Sequence, residues 1–459
     1  MKLWNYICEK ITQHPNQEIR EKDAVLSYEE IIMFAEHFAK YIVNERCCAI
    51  YCQSELITAI TILGCFAAGV TAVPLSPRYG AAHCCKILKL VGPTCAVTDI
   101  EGELGIYQIS DAHYSKPRPR PALIMCTSGT SGSPKGVMLS EENILTNLKD
   151  ISRYFDINER DSILIARPLY HSAVLTGEFL LALTKGARII FHSEEFNPRA
   201  ILDLIYDLRI TTLGGTPTLF NLLVQFSKDK ECLTLENIVL SGECLNREVG
   251  IRIQDTFVNA KIYHVYGLTE ASPRVSWLPP ERFRSDPESV GKPLNSVRIK
   301  ILDKAGNPVK DGQAGVLWIS GKNVFLGYYN NPSLTAKSFD ESWFCTGDVA
   351  VIDENGYLKI KGRNDNMIIR AGMNIYPQEI EAELRRDNRT KEVLVYGIND
   401  KTWGTQIAMK IRGDYKSIRE VKELCQRILP AYQIPTHIQL VEEIEKNASG
   451  KVVRRNGHD

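Results

Sequence analysis

The sequence predicts an α/β fold: a large N-terminal domain of layered, mostly parallel sheets with a small β subdomain, followed by a small α+β C-terminal domain. Three observations predict it. Short runs rich in Val and Ile alternate with helical patterns through most of the chain. Several of those runs end in Gly, Ser or Thr, as strands do where a parallel sheet opens into ligand-binding loops. Beyond Val297 the pattern becomes alternating strands with Gly and Asn turns.

The N-terminal stretch "MKLWNYICEKITQHPNQEIREKD" is polar and lacks the apolar core of a signal peptide, so a cytoplasmic protein is expected. The predicted strands of the large domain are "CCAIYC", "CAVTDI", "ALIMCTS", "ARIIFH", "TTLGGTP" and "NIVLSGE". The run from Leu56 to Leu75 is long enough to suggest a membrane span. Gly64, Gly69 and Pro74 divide it, and it reads as a buried helix followed by a strand. "SKPRPRP", Ser115 to Pro121, reads as a stiff connector, with phosphate binding as the alternative.

"VRIKILDKAGNPV", "GVLWISG" and "GYLKIKGR" form the small antiparallel subdomain, residues 297–363. The polar junction "KGRNDNM" then separates an N-terminal domain, 1–363, from a C-terminal domain, 364–459. In the latter, "YPQEIEAELRR" places Pro at a helix start. The strands "EVLVYGI" and "QIAMKIRG" and the helix "SIREVKELCQRI" follow.

Composition narrows the function. Lys plus Arg and Asp plus Glu number 55 each, so no global field draws the chain to nucleic acid or an anionic membrane. The thirteen cysteines show no paired zinc-ligand spacing, and they fit a reducing compartment. The expected partner is a small molecule read at one site.

The segment "MCTSGTSGSPKGVMLS", Met125 to Ser140, is where that site is best marked. A Gly- and hydroxyl-rich loop after a strand can wrap an anion with amides and hydroxyls, and a lysine adds charge. Thr127, Ser128, Gly129, Thr130, Ser131, Gly132 and Lys135 are the candidate phosphate-binding residues. A Walker A loop is excluded, because Pro134 precedes the lysine and Gly136 follows it.

"TSGTSGSPKG" resembles the signature loop of the adenylate-forming enzymes, namely acyl-CoA synthetases, adenylation domains and luciferases. Six further motifs occur in that family's order: "RPLYHS", "LSGECL", "YHVYGLTEAS", "WFCTGDVA", "KGRNDNMIIRAGMNIYPQEIE" and "NASGKVVRR". The resemblance covers roughly Leu26 to Arg455 and is closest in motifs to acyl-CoA synthetases.

The resemblance implies ATP-dependent activation of a carboxylic acid to acyl-AMP, with release of pyrophosphate. A thiol then takes the acyl group after the C-terminal domain turns about a hinge at Asp365. By the same resemblance Lys451 is catalytic, Thr269 meets the α-phosphate and Glu270 holds Mg²⁺. Tyr266 stacks on adenine beside Gly267, Gly242 and Glu243, while Asp348 and Arg363 take the ribose. His171, Gly242 and Gly267 border the acyl pocket, and Gly372 lines the thiol path. ATP, Mg²⁺ and coenzyme A are the implied cofactors, the phosphopantetheine of an acyl carrier protein being the alternative acceptor. The apolar "SAVLTGEFLLAL" lacks the aspartate that amino-acid-activating relatives carry, which favours a fatty or aryl acid. Ser131 and Ala371 stand where the family commonly has threonine and glycine. Two other readings compete: an ATPase or kinase releasing ADP, and a binding protein of the same fold without activity.

Overall fold

The computed structural model describes residues 2–446 other than 76, 78–80, 101–102, 110–111, 116, 129–133, 193–196, 228–233, 365–367, 371–372, 401–403 and 431–432. The chain forms two compact units. The first comprises Met1–Glu243, Gly250–Ile299 and Ile319–Phe344, and the second Cys244–Val249, Lys300–Trp318 and Cys345–Asp459.

The first unit is built on two large sheets. One has nine strands in the order Lys292–Pro293, Arg274–Leu278, Lys261–Gly267, Asn237–Leu240, Thr212–Gly215, Ser162–Ile165, Arg188–Phe191, Glu18–Glu21, Ala24–Ser27. Its six strands from Lys261–Gly267 to Glu18–Glu21 run parallel. Antiparallel strands close both edges. The Ser162–Ile165 and Asn237–Leu240 strands are buried along their whole length, which explains their unbroken apolar sequences.

The other sheet has seven strands in the order Gly327–Tyr328, Pro134–Leu139, Leu123–Ser128, Thr71–Pro74, Cys47–Tyr51, Cys95–Ile100, Glu103–Gln108. Its centre is parallel, and its two ends are antiparallel. The Leu56–Leu75 run is a helix, Glu55–Ala68, then a strand, Thr71–Pro74, as its sequence predicts. Ser54 caps the helix start by accepting from the Ile57 amide, and Gly69 ends it at φ 67°. A Cβ on Gly64 would lie 2.5 Å from the Phe38 ring, so this glycine lets two buried helices meet closely.

A third, five-stranded sheet orders Val297–Leu302, Gly315–Gly321, Trp343–Ile352 and Phe339–Asp340, with Leu358–Arg363 also paired to Trp343–Ile352. The second unit ends in an α+β part. There Thr390–Asp400 and Gly404–Gly413 pair antiparallel, and His437–Leu440 runs parallel to the latter. The helices Pro377–Leu384 and Ile418–Ile428 pack on them through Ile380, Leu384, Val421 and Leu424. Pro377 opens its helix, and Ser417 caps the other by accepting from Glu420 N.

Among the described residues no helix is long and apolar enough to cross a membrane. Cys47, Cys48, Cys52, Cys65 and Cys95 are buried thiols. Burial pushes the Cys52 thiol up to about 12, so it is an inert core group at neutral pH.

Candidate active site

The loop that dominates the sequence is the tip of an antiparallel hairpin, Leu123–Ser128 with Pro134–Leu139. Thr127 faces Lys135 across it, and Ser128 faces Pro134. Gly129, Thr130, Ser131 and Gly132 lie outside the described residues. A third strand, Gly327–Tyr328, pairs with the outer hairpin strand, Tyr328 opposite Val137. Gly136 serves this junction: its carbonyl accepts from Tyr329 N at 2.7 Å. A Cβ there would crowd Ile124 and Tyr329 at 3.0 and 3.2 Å.

That pairing brings a second motif to the first. The Lys135 ammonium lies 5.7 Å from the centre of the Tyr328 ring, and the Tyr328 hydroxyl donates to Glu270 Oε1 at 2.9 Å. Phe325 N also donates to the Glu270 carbonyl at 2.8 Å. Lys135, Tyr328 and Glu270 therefore form one assembly from three distant segments. Tyr328 carries no sequence signal of its own; an isolated tyrosine after a glycine belongs to no pattern.

Thr269 and Glu270 lie in a single 3₁₀ turn, Thr269–Ala271, after the strand Lys261–Gly267. Ser272, which ends the turn, has φ 67°, a conformation costly for a residue with a Cβ. It is held there because its hydroxyl donates to Asn323 O at 2.8 Å and Asn323 Nδ2 donates to Ala271 O at 2.9 Å. Gly267 is required for the return of the chain, since a Cβ would lie 2.4 Å from Pro273 O. Tyr266 is half-buried at the end of the same strand.

The "RPLYHS" segment follows the strand Ser162–Ile165, at its C-terminal edge. His171 stands at the start of the Ser172–Val174 helical turn, its ring 4.3 Å from that of Tyr170. Ser172 Oγ donates to Thr269 Oγ1 at 3.3 Å, which joins this motif to the Thr-Glu turn. A π-helical turn, Leu175–Leu180, continues it. There the fully buried Glu178 pairs with Arg167. A Cβ on Gly214 would fall 2.5 Å from Glu178 Oε1.

Gly242 follows the strand Asn237–Leu240 with φ 89°. The neighbouring Glu243 carboxylate accepts from the Thr218 amide at 3.1 Å and its hydroxyl at 2.6 Å, in the first turn of the Pro217–Phe226 helix. That engagement commits the Glu243 side chain to the helix start.

In the second unit Asp348 and Arg363 are direct cross-strand partners. Arg363 Nη1 donates to Thr346 O at 2.9 Å and reaches Asp348 Oδ1 at 3.4 Å. Asp348 N donates to Thr346 Oγ1 at 3.1 Å, and that hydroxyl donates to Leu317 O. Gly347, at φ 72°, makes room for the guanidinium; a Cβ would lie 2.9 Å from Arg363 Nη2. The arrangement presents a fixed carboxylate beside a fixed guanidinium, a donor–acceptor set suited to a diol. Asp365, Gly372 and Lys451 lie outside the described residues.

The first unit's cluster suits a polyphosphate: one ammonium, one carboxylate and neutral hydroxyls. Among the described residues no group of three or more His, Cys, Asp or Glu could hold a metal ion alone. A magnesium ion commonly binds through one or two carboxylates plus phosphate oxygens and water. Glu270 fits that mode, with Oε1 fixed by Tyr328 and its other oxygen left to a ligand.

Comparison with known proteins agrees with this geometry. The sequence profile of the AMP-binding enzyme family matches residues 8–329, and that of the AMP-binding enzyme C-terminal domain matches 379–451. A feruloyl-CoA synthase of Amycolatopsis is 28% identical over 420 residues, covering 86% of this chain and 84% of that protein. A long-chain-fatty-acid–CoA ligase of Yersinia pestis is 31% identical over 348 residues, 74% of this chain and 61% of that one. Among solved structures, o-succinylbenzoate CoA synthetase of Bacillus subtilis in complex with its acyl-adenylate intermediate superposes with a TM-score of 0.88 at 25% identity, covering 99% of this chain and 98% of that one. The same enzyme in complex with ATP and magnesium ion gives 0.85 at 25% identity, with 98% of each chain covered. Both family domains are thus present, in order and over most of the chain, and this protein belongs to the AMP-binding enzyme family.

Proposed function

We propose that this chain is an AMP-forming carboxylate–thiol ligase that converts a carboxylic acid to its coenzyme A thioester. The observation that carries the reading is the Lys135–Tyr328–Glu270 assembly, joined through the Thr-Glu turn to Ser172. Three of the family's motifs, spread over more than a hundred residues of sequence, meet around one small group of side chains. The named activities of the relatives, feruloyl-CoA and long-chain acyl-CoA formation, support coenzyme A as the acceptor.

In the first step a carboxylate oxygen attacks the α-phosphorus of ATP, and the bond from that phosphorus to the β-phosphate bridging oxygen breaks. The products are acyl-AMP and pyrophosphate. No general base is needed, because the acid is already ionised. The difficulty is the meeting of two anions, so charge neutralisation and alignment supply the catalysis. Lys135 and the hairpin loop hold the departing phosphates, and the Thr269 hydroxyl fixes the α-phosphate. Magnesium on Glu270 neutralises phosphate charge when bound. Tyr328 keeps Glu270 in place and shares its ring with Lys135. Asp348 and Arg363 orient the ribose, and Lys451 neutralises the reacting oxygens.

In the second step the thiol sulfur attacks the acyl carbon, the bond to the AMP oxygen breaks and the thiol proton is released. The C-terminal domain, 364–459, turns at Asp365 between the steps, and Gly372 borders the thiol path. The enzyme works in the cytoplasm, where coenzyme A and reduced thiols coexist.

Carboxylate-dependent exchange of labelled pyrophosphate into ATP tests this without any thiol. Exchange with one class of acid, and AMP with thioester on adding coenzyme A, is the expected outcome. ADP formation, or no exchange by protein that binds ATP, rejects it. A carrier protein accepting the acyl group while coenzyme A does not would replace the acceptor and leave the first step standing.

A further inference from the structure

Arg274 follows the Thr-Glu turn by four residues and opens the strand Arg274–Leu278. Its side chain is buried, with only 4% of the residue exposed. A guanidinium stays charged even there. Nη1 donates to the Tyr154 hydroxyl, and among the described residues no carboxylate pairs with the group. Arg167, the other arginine near the π-helical turn, has its counter-ion in Glu178.

An unbalanced buried cation is costly unless something compensates it. Tyr154 ends the Glu141–Tyr154 helix, whose C-terminus contributes roughly half a negative charge. The buried Asp150 carboxylate near Tyr154 is taken by Arg153 and the Ser296 amide, so the guanidinium has no carboxylate of its own. The other end of the guanidinium, Nη2, faces Gly177: it lies 2.9 Å from where a Cβ on that residue would be. The guanidinium therefore packs directly on Gly177, and any side chain there would displace it.

The backbone is clamped on both sides. Arg274 N donates to Asn147 Oδ1 at 3.1 Å, and its carbonyl accepts from Asn147 Nδ2 at 2.7 Å and Asn323 Nδ2 at 3.1 Å. The cation is therefore held in position before any ligand arrives.

Its position along the acyl segment is defined at the other end too. Ser172, five residues before Gly177, bonds Thr269, the proposed α-phosphate contact. Gly177 lies five residues, just over one helical turn, beyond Ser172 on that segment. We propose that Arg274 binds a second anionic group on the acid, so that the substrate is a dicarboxylic acid with its distal carboxylate against Gly177. This rests on the ligase reading above and narrows the fatty or aryl acid to one with a charged far end.

The test compares α,ω-dicarboxylates from malonate to suberate with the monocarboxylates of equal chain length. Pyrophosphate exchange and the thermal unfolding midpoint of the full chain are both read. Wild-type protein should favour one dicarboxylate at least tenfold in kcat/KM over its monocarboxylate match, and only the dicarboxylate should raise the midpoint. Arg274→Met should bring that ratio close to one, and Arg274→Lys should restore part of it. Gly177→Leu, which keeps the arginine but presses on the guanidinium and takes the place beside it, should lose the same preference. Equal or better exchange with the monocarboxylates in wild type overturns the proposal, whatever the variants do. So does a preference that survives in folded Arg274→Met. If no acid supports exchange, the ligase reading fails, and the midpoint shift alone decides this inference: a dicarboxylate-specific rise that Arg274→Met abolishes supports it, and no rise overturns it.

Discussion

Tyr328 shows how much of a binding site can rest on one side chain that no motif announces. Its hydroxyl fixes one oxygen of Glu270, and its ring lies near the Lys135 ammonium. Tyr328→Phe removes the first contact and keeps the second. A hydrogen bond to a charged group contributes about 1.5–3 kcal/mol, so the exchange rate should fall by roughly ten- to a hundredfold with Phe. The loss should appear mainly in kcat/KM for ATP, because the hydroxyl positions Glu270 and touches no acid. Glu270→Gln in the same background should then add less than it does alone, as coupled neighbours do. Independent, additive losses in that double-mutant cycle would show that the Tyr328–Glu270 contact does not matter to the reaction. Lys135 and Glu270 are legible in the sequence because each sits in a dense run of unusual residues. Tyr328 and Arg274 are not, because their meaning comes only from what the fold brings beside them.

The strand Lys261–Gly267 carries both a site and a pH response. It lies where the nine-stranded sheet changes from parallel to antiparallel pairing, with Tyr266 and Gly267 at its C-terminal end. Three residues earlier His264 is buried, with 1% exposure, and its Nδ1 is 2.8 Å from Pro287 O. Burial lowers its pKa from 6.5 to about 4, against the opposing pull of hydrogen bonds to Pro287 and Ser289. The folded state thus keeps the ring neutral, while the unfolded chain takes up a proton near the ordinary value. Stability from this residue is complete above 6.5, falls as the pH drops towards about 4, and is level below that. At about 1.4 kcal/mol per pH unit the loss is about 3 kcal/mol. The urea midpoint should decline across that window, and His264→Asn should flatten the decline even though it lowers stability at neutral pH. A slope unchanged in the variant would assign the pH response to other groups.

Elements of this kind are well marked in the sequence where local chemistry is decisive. The Leu56–Leu75 run is readable as helix then strand because Ser54 and Gly69 stop the helix at both ends. The Ile418–Ile428 helix is readable for the same reason, with Ser417 at its start. The π-helical turn Leu175–Leu180 is not. An extra residue in a helical turn leaves no trace in an apolar sequence, and here Gly177 and Glu178 are placed by tertiary contacts to Arg274 and Gly214.

At the scale of the whole molecule, the division into two compact units bears on how two chemical steps share one enzyme. Adenylation needs a cation at the reacting oxygens, while thioester formation needs that place open to a thiol. One static arrangement serves both poorly, and the hinge proposed at Asp365 would resolve the conflict. Lys451→Ala should therefore lower carboxylate-dependent pyrophosphate exchange by about a hundredfold or more, the scale of a lost transition-state charge contact. The same variant, given synthetic acyl-AMP and coenzyme A, should form thioester at close to the wild-type rate, because the proposed reaction gives the lysine no part in that step. Asp365→Pro should do the reverse, since a fixed φ would resist the backbone change proposed to separate the steps. Exchange would persist and thioester formation from acyl-AMP would fall. The two half-reactions, measured separately for both variants, decide the matter. If each variant slowed both steps equally, a single conformation would be performing the whole reaction, and the hinge at Asp365 would have no catalytic role.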